Sequence, residues 1–379
     1  MNIAILGKGT SSLITAMVCA LRGHNISVYY DPDKDHIAVG ESTTPHFANL
    51  IRLCFGVCIH DLVDKNLASY KTGIKFINWG NGSTFKHPFA NNALAFHFST
   101  YELNPLLVNL LEEKSVKFIP EKVDSYSYEN NKIVANGNAY DFLISCIGWD
   151  DDKNYKKPFI ETVNSGITYT ENFVDIDSNY TIHRATEDGW QFGLPFPERN
   201  ITRCGYLYDR NLISVNEVKE KLKDKTIENC YEWTPRYCKS LIQNELLAFN
   251  GNRLFFFEPL QALSLYYTYK FADLICAYLD NKNDGRAFTK INSNYLYEIY
   301  TYQQTIAWHY RFGSSYKTLY WQNIIKKSNE FLETTPSGDL DIFMNLLEND
   351  KKFKDTDFST TGIFTWKDMD YVVSGMTKH

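Results

Sequence analysis

The first 31 residues constrain this chain more than any other stretch. Asn2-Ile3-Ala4-Ile5-Leu6 is a short apolar run of strand type, and Gly7-Lys8-Gly9-Thr10-Ser11-Ser12 follows it directly. Leu13 to Arg22 carries apolar side chains at helical spacing, His24-Asn25 turns the chain, and Ile26 to Tyr30 reads as a second strand ending at Asp31. Strand, glycine turn, helix and strand form a βαβ unit, with an acid about 24 residues after the first glycine. Gly7 permits the tight turn. Gly9, with Thr10 and Ser11 beside it, lets the backbone approach a pyrophosphate at the helix N-terminus. Asp31 can accept hydrogen bonds from a ribose. Ser12 stands where the pattern has a third glycine. The competing reading is a doubly wound fold that uses its glycines only for the turn.

Far down the chain, Tyr140 to Gly148 is another apolar strand ending in glycine. Flavoprotein hydroxylases return such a strand beside the first unit, its terminal glycine close to the cofactor. This favours FAD over NAD and makes the intervening segments an insertion or an extra sheet. The run Trp149-Asp150-Asp151-Asp152-Lys153 reads as a solvated loop.

Composition excludes several classes. A chain of 379 residues with 44% hydrophobic and 22% charged residues buries a substantial core. Its net charge of -6 gives no electrostatic reason to expect nucleic acid or an anionic membrane. No apolar run approaches the roughly 18 residues that cross a bilayer, and Met1 leads straight into the first strand without a signal peptide. The eight cysteines form no CxxC pair and no metal site, as expected of reduced thiols in the cytoplasm. Abundant Lys, Asn, Tyr and Ile suggest an AT-rich genome such as that of a phage or a marine bacterium.

Further segments resemble flavin-dependent halogenases of the tryptophan halogenase type. Val39-Gly40-Glu41-Ser42-Thr43-Thr44-Pro45 is similar to that family's GVGEATxP loop, though Ser42 or Thr43 would also cap a helix. Tyr70 to Trp79 is similar to FKxxIKFxNW, whose first lysine is Lys71 here; Lys75 would point the same way along one strand, and only the motif selects Lys71. Gly189-Trp190-Gln191-Phe192-Gly193-Leu194-Pro195, then Arg203 to Tyr208, resembles GWxWxIP and RxGxGYVY, although the same residues make an ordinary core strand. Leu254 to Tyr266 is similar to LFVEPLESTGIY, and His309-Tyr310-Arg311 with Tyr320-Trp321 to the HY…FW region.

The resemblance implies an α/β fold: an FAD-binding, Rossmann-like monooxygenase/halogenase core over 1–321, with an inserted β-sheet on the substrate side and a helical C-terminal part over 322–379. FAD elements are expected at 1–50, 140–150 and 250–285, and substrate-side sheet at about 70–100 and 160–215. It implies an oxidoreductase using FADH2, O2 and chloride, bromide or iodide to make hypohalous acid. Lys71 would then deliver that acid to an aromatic substrate, as a haloamine or by hydrogen bonding. Gly40, Glu41, Ser42, Gly148, Glu258 and Pro259 are expected beside the cofactor with the first turn. Backbone amides of Leu263 and Ser264 are expected on the halide. Trp190, Phe192 and Pro195 are expected as a wall between substrate and flavin. A separate flavin reductase is implied, and homo-oligomerisation stays open. Gln261 replaces the family's catalytic glutamate, and the region after Trp366 is short. Both changes point away from free tryptophan, towards a phenol or indole in a more open site, and towards a compact, phage-type member. A single-component FAD monooxygenase and a catalytically inactive flavin-binding protein are the alternatives.

Overall fold

The computed structural model describes residues 1–34, 41–82, 84–148, 153–173, 179–334 and 366–377. Its nucleotide-side sheet has six strands, and Asn2–Leu6 lies inside it, parallel to Asn25–Tyr29 on one side and Phe142–Ser145 on the other. Lys117–Ile119 extends one edge and Leu247–Phe249 the other, both in parallel, before Ile242–Asn244 closes the sheet antiparallel. Ile3, Ala4, Ile5, Leu143 and Ile144 are fully buried. Parallel strands covered on both faces read as continuous apolar runs, which is how these appear in the sequence. The helix Thr10–Leu21 crosses between the first two strands and packs against the long helix Leu263–Asp280.

The second sheet has seven strands, ordered Thr226–Glu232, Ser165–Asn172, Ile201–Tyr208, Gly189–Phe196, Tyr180–Thr186, Gly73–Ile77 and Phe85–Pro88. Register places Phe76, His183, Phe192 and Gly205 in one row across it, and Trp190 beside Ala185 and Leu207 in the next. This face is buried. Helix Ala287–Tyr310 and helix Leu319–Thr334 complete the layer with Tyr310 and Trp321, whose rings meet Trp79. The C-terminal helix Trp366–Thr377 packs on the edge strand Phe85–Pro88, where Asp368 Oδ1 lies 3.0 Å from His87 Nε2.

Lys71 and Lys75 do not share a strand. Lys71 ends Ala68–Lys71, which among the described residues pairs only with Ala95–Phe98, whereas Lys75 lies in Gly73–Ile77 of the larger sheet. Thr72 breaks the run between them, its N–H and hydroxyl both donating to the Asn179 carbonyl. Lys71 is therefore buried and Lys75 half-buried.

Gly205 lies directly under the Phe192 ring, and a Cβ there would stand 2.2 Å from a ring carbon. Gly205→Ala is expected to destabilise the protein by about 2–3 kcal/mol through overpacking. Chemical denaturation checks this, and Phe192→Leu in the same chain should recover part of the loss.

Candidate active site

The Gly7–Ser12 turn suits a dinucleotide. Gly7 has φ +108, open only to glycine at low cost, and donates its N–H to the Tyr29 carbonyl at 2.7 Å. Ser12 fits the third position because its hydroxyl sits over the bare Gly7: a Cβ on Gly7 would be 2.8 Å from Ser12 Oγ. Gly9 caps the helix without any side-chain hydrogen bond, and space around its missing Cβ is open to 4 Å. The first N–H groups of the helix thus face an uncrowded, electropositive cradle. Thr10 Oγ1 donates to Asn104 Oδ1 at 3.2 Å, and Ser11 packs on Gly251. Asp31 lies two residues past the second strand rather than at its end, with Oδ1 accepting the Asp33 N–H at 3.0 Å. Gly148 has φ +44 and open space beside it, and its carbonyl accepts from Arg253. These residues fit FAD. Gly40, Val39 and the acidic residues 150–152 lie outside the described residues.

Lys71 is 1% exposed. Its Nζ donates to Ser42 Oγ at 2.8 Å and to the Thr43 carbonyl at 3.0 Å, and lies 5.4 Å from the centre of the Phe89 ring. Among the described residues it has no ion-pair partner. Burial in uncharged surroundings brings its pKa down to about 7. The expectation of a more open site does not match a lysine this enclosed. The C-terminal helix adds to the enclosure through His87, whose ring lies 6.4 Å from that of Phe89.

Three of the residues expected beside the cofactor have side chains hydrogen-bonded within the protein. Ser42 holds Lys71. Glu41 accepts from Arg203 at 3.0 Å and from the Thr100 N–H at 3.2 Å. Glu258 accepts from Thr162 and, at 2.9 Å, from Tyr310, while its carbonyl accepts from Tyr302. The common reason is burial: a carboxylate this enclosed requires donors, and the fold supplies internal ones. Burial raises the Glu258 pKa to about 7 despite the hydrogen bonds from Thr162 and Tyr310.

Past Pro259, whose carbonyl accepts the Ala262 N–H, the chain makes an unusual turn. Gln261 and Ala262 both have positive φ, +62 and +56. Two successive left-handed non-glycine residues store roughly 1–3 kcal/mol each and cluster at functional turns. They launch the helix Leu263–Asp280 with no side-chain cap, so the N–H groups of Leu263 and Ser264 begin a helix at the turn. Gln261 Nε2 lies 2.8 Å from His309 Nε2, and His309 Nδ1 lies 2.7 Å from the Thr305 carbonyl. A carbonyl only accepts, so Nδ1 carries the proton and Nε2 accepts from the Gln261 amide. Burial lowers the His309 pKa to about 4, keeping it neutral. A carboxamide matches that lone pair; a carboxylate would repel it.

The three residues expected as a wall all lie on the strand Gly189–Phe196. The Trp190 ring lies 4.8 Å from His183 and 6.2 Å from Trp79, Phe192 follows at 6.4 Å, and the Pro195 carbonyl accepts from Ser69. His97, Thr181 and His183 belong to the site and were not anticipated. They come from two different strands, no motif marks them, and only the register brings them to Lys71.

A sequence model described as tryptophan halogenase matches residues 2–138 and 91–376. The chain belongs to that family. Tryptophan 6-halogenase ThaL of Streptomyces albogriseolus is 33% identical over 106 residues, 23% of this chain, and the chain spans only 20% of that relative's length. A tryptophan halogenase structure from Shewanella frigidimarina superposes with a TM-score of 0.82 at 17% identity, over 100% of this chain and 89% of that one. BrvH, a flavin-dependent halogenase from Brevundimonas, gives 0.78 at 15%, over 99% and 89%. These likenesses establish the fold. Among the described residues, no helix is long and apolar enough to cross a membrane.

Gln261→Glu puts a carboxylate against the His309 lone pair. The pair is stable only if His309 takes up a proton, so its pKa should rise from about 4 by two units or more. A titration followed by NMR on histidine-labelled protein checks this.

Proposed function

We propose that this member of the tryptophan halogenase family is an FAD-dependent halogenase that places halogen on an electron-rich aromatic ring, such as a phenol or indole. A separate flavin reductase delivers FADH2. The observation that carries this reading is Lys71: a buried amine with no ion-pair partner among the described residues, about half-protonated at pH 7, near the aromatic residues Trp190 and Phe192.

Residues Gly7 to Ser12 would hold the pyrophosphate, and the N–H groups of Leu263 and Ser264 a halide ion, by replacing its hydration with oriented dipoles. Reduced flavin supplies, when bound, the electrons with which dioxygen converts halide to hypohalous acid. Trp190, Phe192 and Pro195 keep the ring substrate from the flavin, which favours halogen transfer over hydroxylation. Lys71 serves either as a nucleophile, when neutral, or as a hydrogen-bond donor that polarises the acid. Gln261 carries no charge and accepts no proton at neutral pH, so another group must take the ring proton. Activated rings, and bromide or iodide rather than chloride, are the substrates that need least assistance.

Purified protein with FAD, a flavin reductase, NADH, oxygen and one halide at a time, offered phenols and indoles, tests this by product mass. Halogenated rings are expected, with bromide and iodide outpacing chloride and Lys71→Ala lowering product by about 100-fold or more. Hydroxylated rings without halogen would replace this reading with a monooxygenase, and no product at all with an inactive flavin protein.

A further inference from the structure

Five hydrogen bonds in series run from Lys71 into the protein, and their polarity is fixed from the far end. The Pro195 carbonyl can only accept, and Ser69 donates its hydroxyl to it at 2.5 Å. The Ser69 oxygen then accepts from His97 Nδ1 at 3.2 Å, so the ring proton is on Nδ1 and Nε2 offers a lone pair. Thr181 Oγ1, 2.8 Å from Nε2, must donate to it. With its one hydrogen so used, Thr181 accepts from Ser42 Oγ at 3.3 Å. Ser42, donating to Thr181, accepts from Lys71 Nζ at 2.8 Å. Every hydrogen in the chain points from Lys71 towards His97. All five side chains are buried. Among the described residues, the titratable groups around Lys71 are His97, His183 and, behind Phe89, His87, which faces Asp368; Glu41, next to Ser42, is held by Arg203.

We propose that Ser42, Thr181 and His97 form a proton relay that takes one proton from the Lys71 ammonium onto His97 Nε2 and returns it later. This rests on the halogenase reading. Lys71 leaves as a neutral amine and His97 becomes an imidazolium, its Nδ1–H still on Ser69. The amine lone pair then forms an N–halogen bond with hypohalous acid as the O–halogen bond breaks. The departing hydroxide takes one N–H proton and becomes water. When the aromatic ring attacks, the C–halogen bond forms and the N–halogen bond breaks, its electron pair staying on nitrogen. The ring proton ends on that nitrogen, and His97 hands its proton back through Thr181 and Ser42 to restore the ammonium. Halogen is +1 in the hypohalous acid and in the N–halogen bond and ends at −1 in the C–halogen bond, oxidising the ring carbon by two electrons, so no further oxidant is required. Ser42, Thr181 and His97 are positioning residues that act through Lys71. Burial and the Lys71 charge both disfavour a cationic His97, so the proton is held only briefly.

Thr181→Val keeps the shape of the side chain and removes both hydrogen bonds; Thr181→Ser keeps the hydroxyl. Bromination of a phenol is measured beside hypobromous acid escaping to taurine in solution. The relay predicts that Thr181→Val lowers brominated phenol at least about tenfold while taurine trapping persists, and that Thr181→Ser stays near wild type. Ser42→Ala, which cuts the same chain, should behave like Thr181→Val and replaces it should that variant not fold. Equal bromination by Thr181→Val, or loss of taurine trapping with it, would overturn the relay. Nitrogen NMR on histidine-labelled protein without flavin gives a separate reading. His97 is expected with a protonated Nδ1 and a bare Nε2, and the opposite tautomer would overturn the relay. Absence of any halogenated product from the wild type would instead overturn the halogenase reading, and the nitrogen spectrum would still judge the chain's polarity.

Discussion

A lysine amine enclosed by a hydroxyl, a carbonyl and an aromatic face has no anion among the described residues to stabilise its charge. Moving it from water to such a place lowers its pKa from an ordinary value near 10.4 to about 7, which corresponds to roughly 4–5 kcal/mol against the charged form. The rest of the site can be understood as what makes that enclosure stable. The ladder Ala68–Lys71 with Ala95–Phe98 brings Lys71 alongside His97, and the seven-stranded sheet sets Thr181 and His183 on the facing surface. Trp79, Trp190, Tyr310 and Trp321 exclude water behind them. The stability consequence has a definite sign. A folded-state pKa below the unfolded one means that the unfolded chain binds more protons between about pH 7 and 10, so this group's penalty is full below pH 7 and fades as pH rises.

The opposite side of the site follows the same logic of neutrality. Glu258 is buried with its pKa raised, its carboxylate bound by Thr162 and Tyr310, while Gln261 and His309 form an uncharged pair. The left-handed turn at Gln261 and Ala262 is tolerated because this pair, with the Pro259 carbonyl, holds both residues in place. A carboxylate at 261 would require a proton on His309. The glutamine is therefore matched to its histidine and is not a lone loss.

Much of the fold was legible because its signals are local. The opening strand, glycine turn and helix depend on contiguous residues, and the parallel strands at Asn2–Leu6 and Phe142–Ser145 read as apolar runs because both faces are buried. Lys71 was selected by motif alone, and strand alternation misled in pairing it with Lys75, since Thr72 and Asn179 interrupt the strand. His97 and Thr181 gave no signal, and the motif that names Ser42 does not join it to Lys71: they meet through the register of separate ladders, which no local pattern encodes. The inward turn of Glu41 and Glu258 was equally hidden, because a motif names a residue without saying which way its side chain points.

The account depends most directly on the charge state of Lys71. Carbon NMR on protein labelled at the lysine ε-carbon, with Lys71→Met identifying the signal, gives its titration in the folded protein. A midpoint near pH 7, far below the other lysines, is what an amine buried without an anion predicts. A midpoint near 10 would mean that water or a counter-charge reaches Lys71, and would contradict the enclosed site on which the proposed chemistry rests.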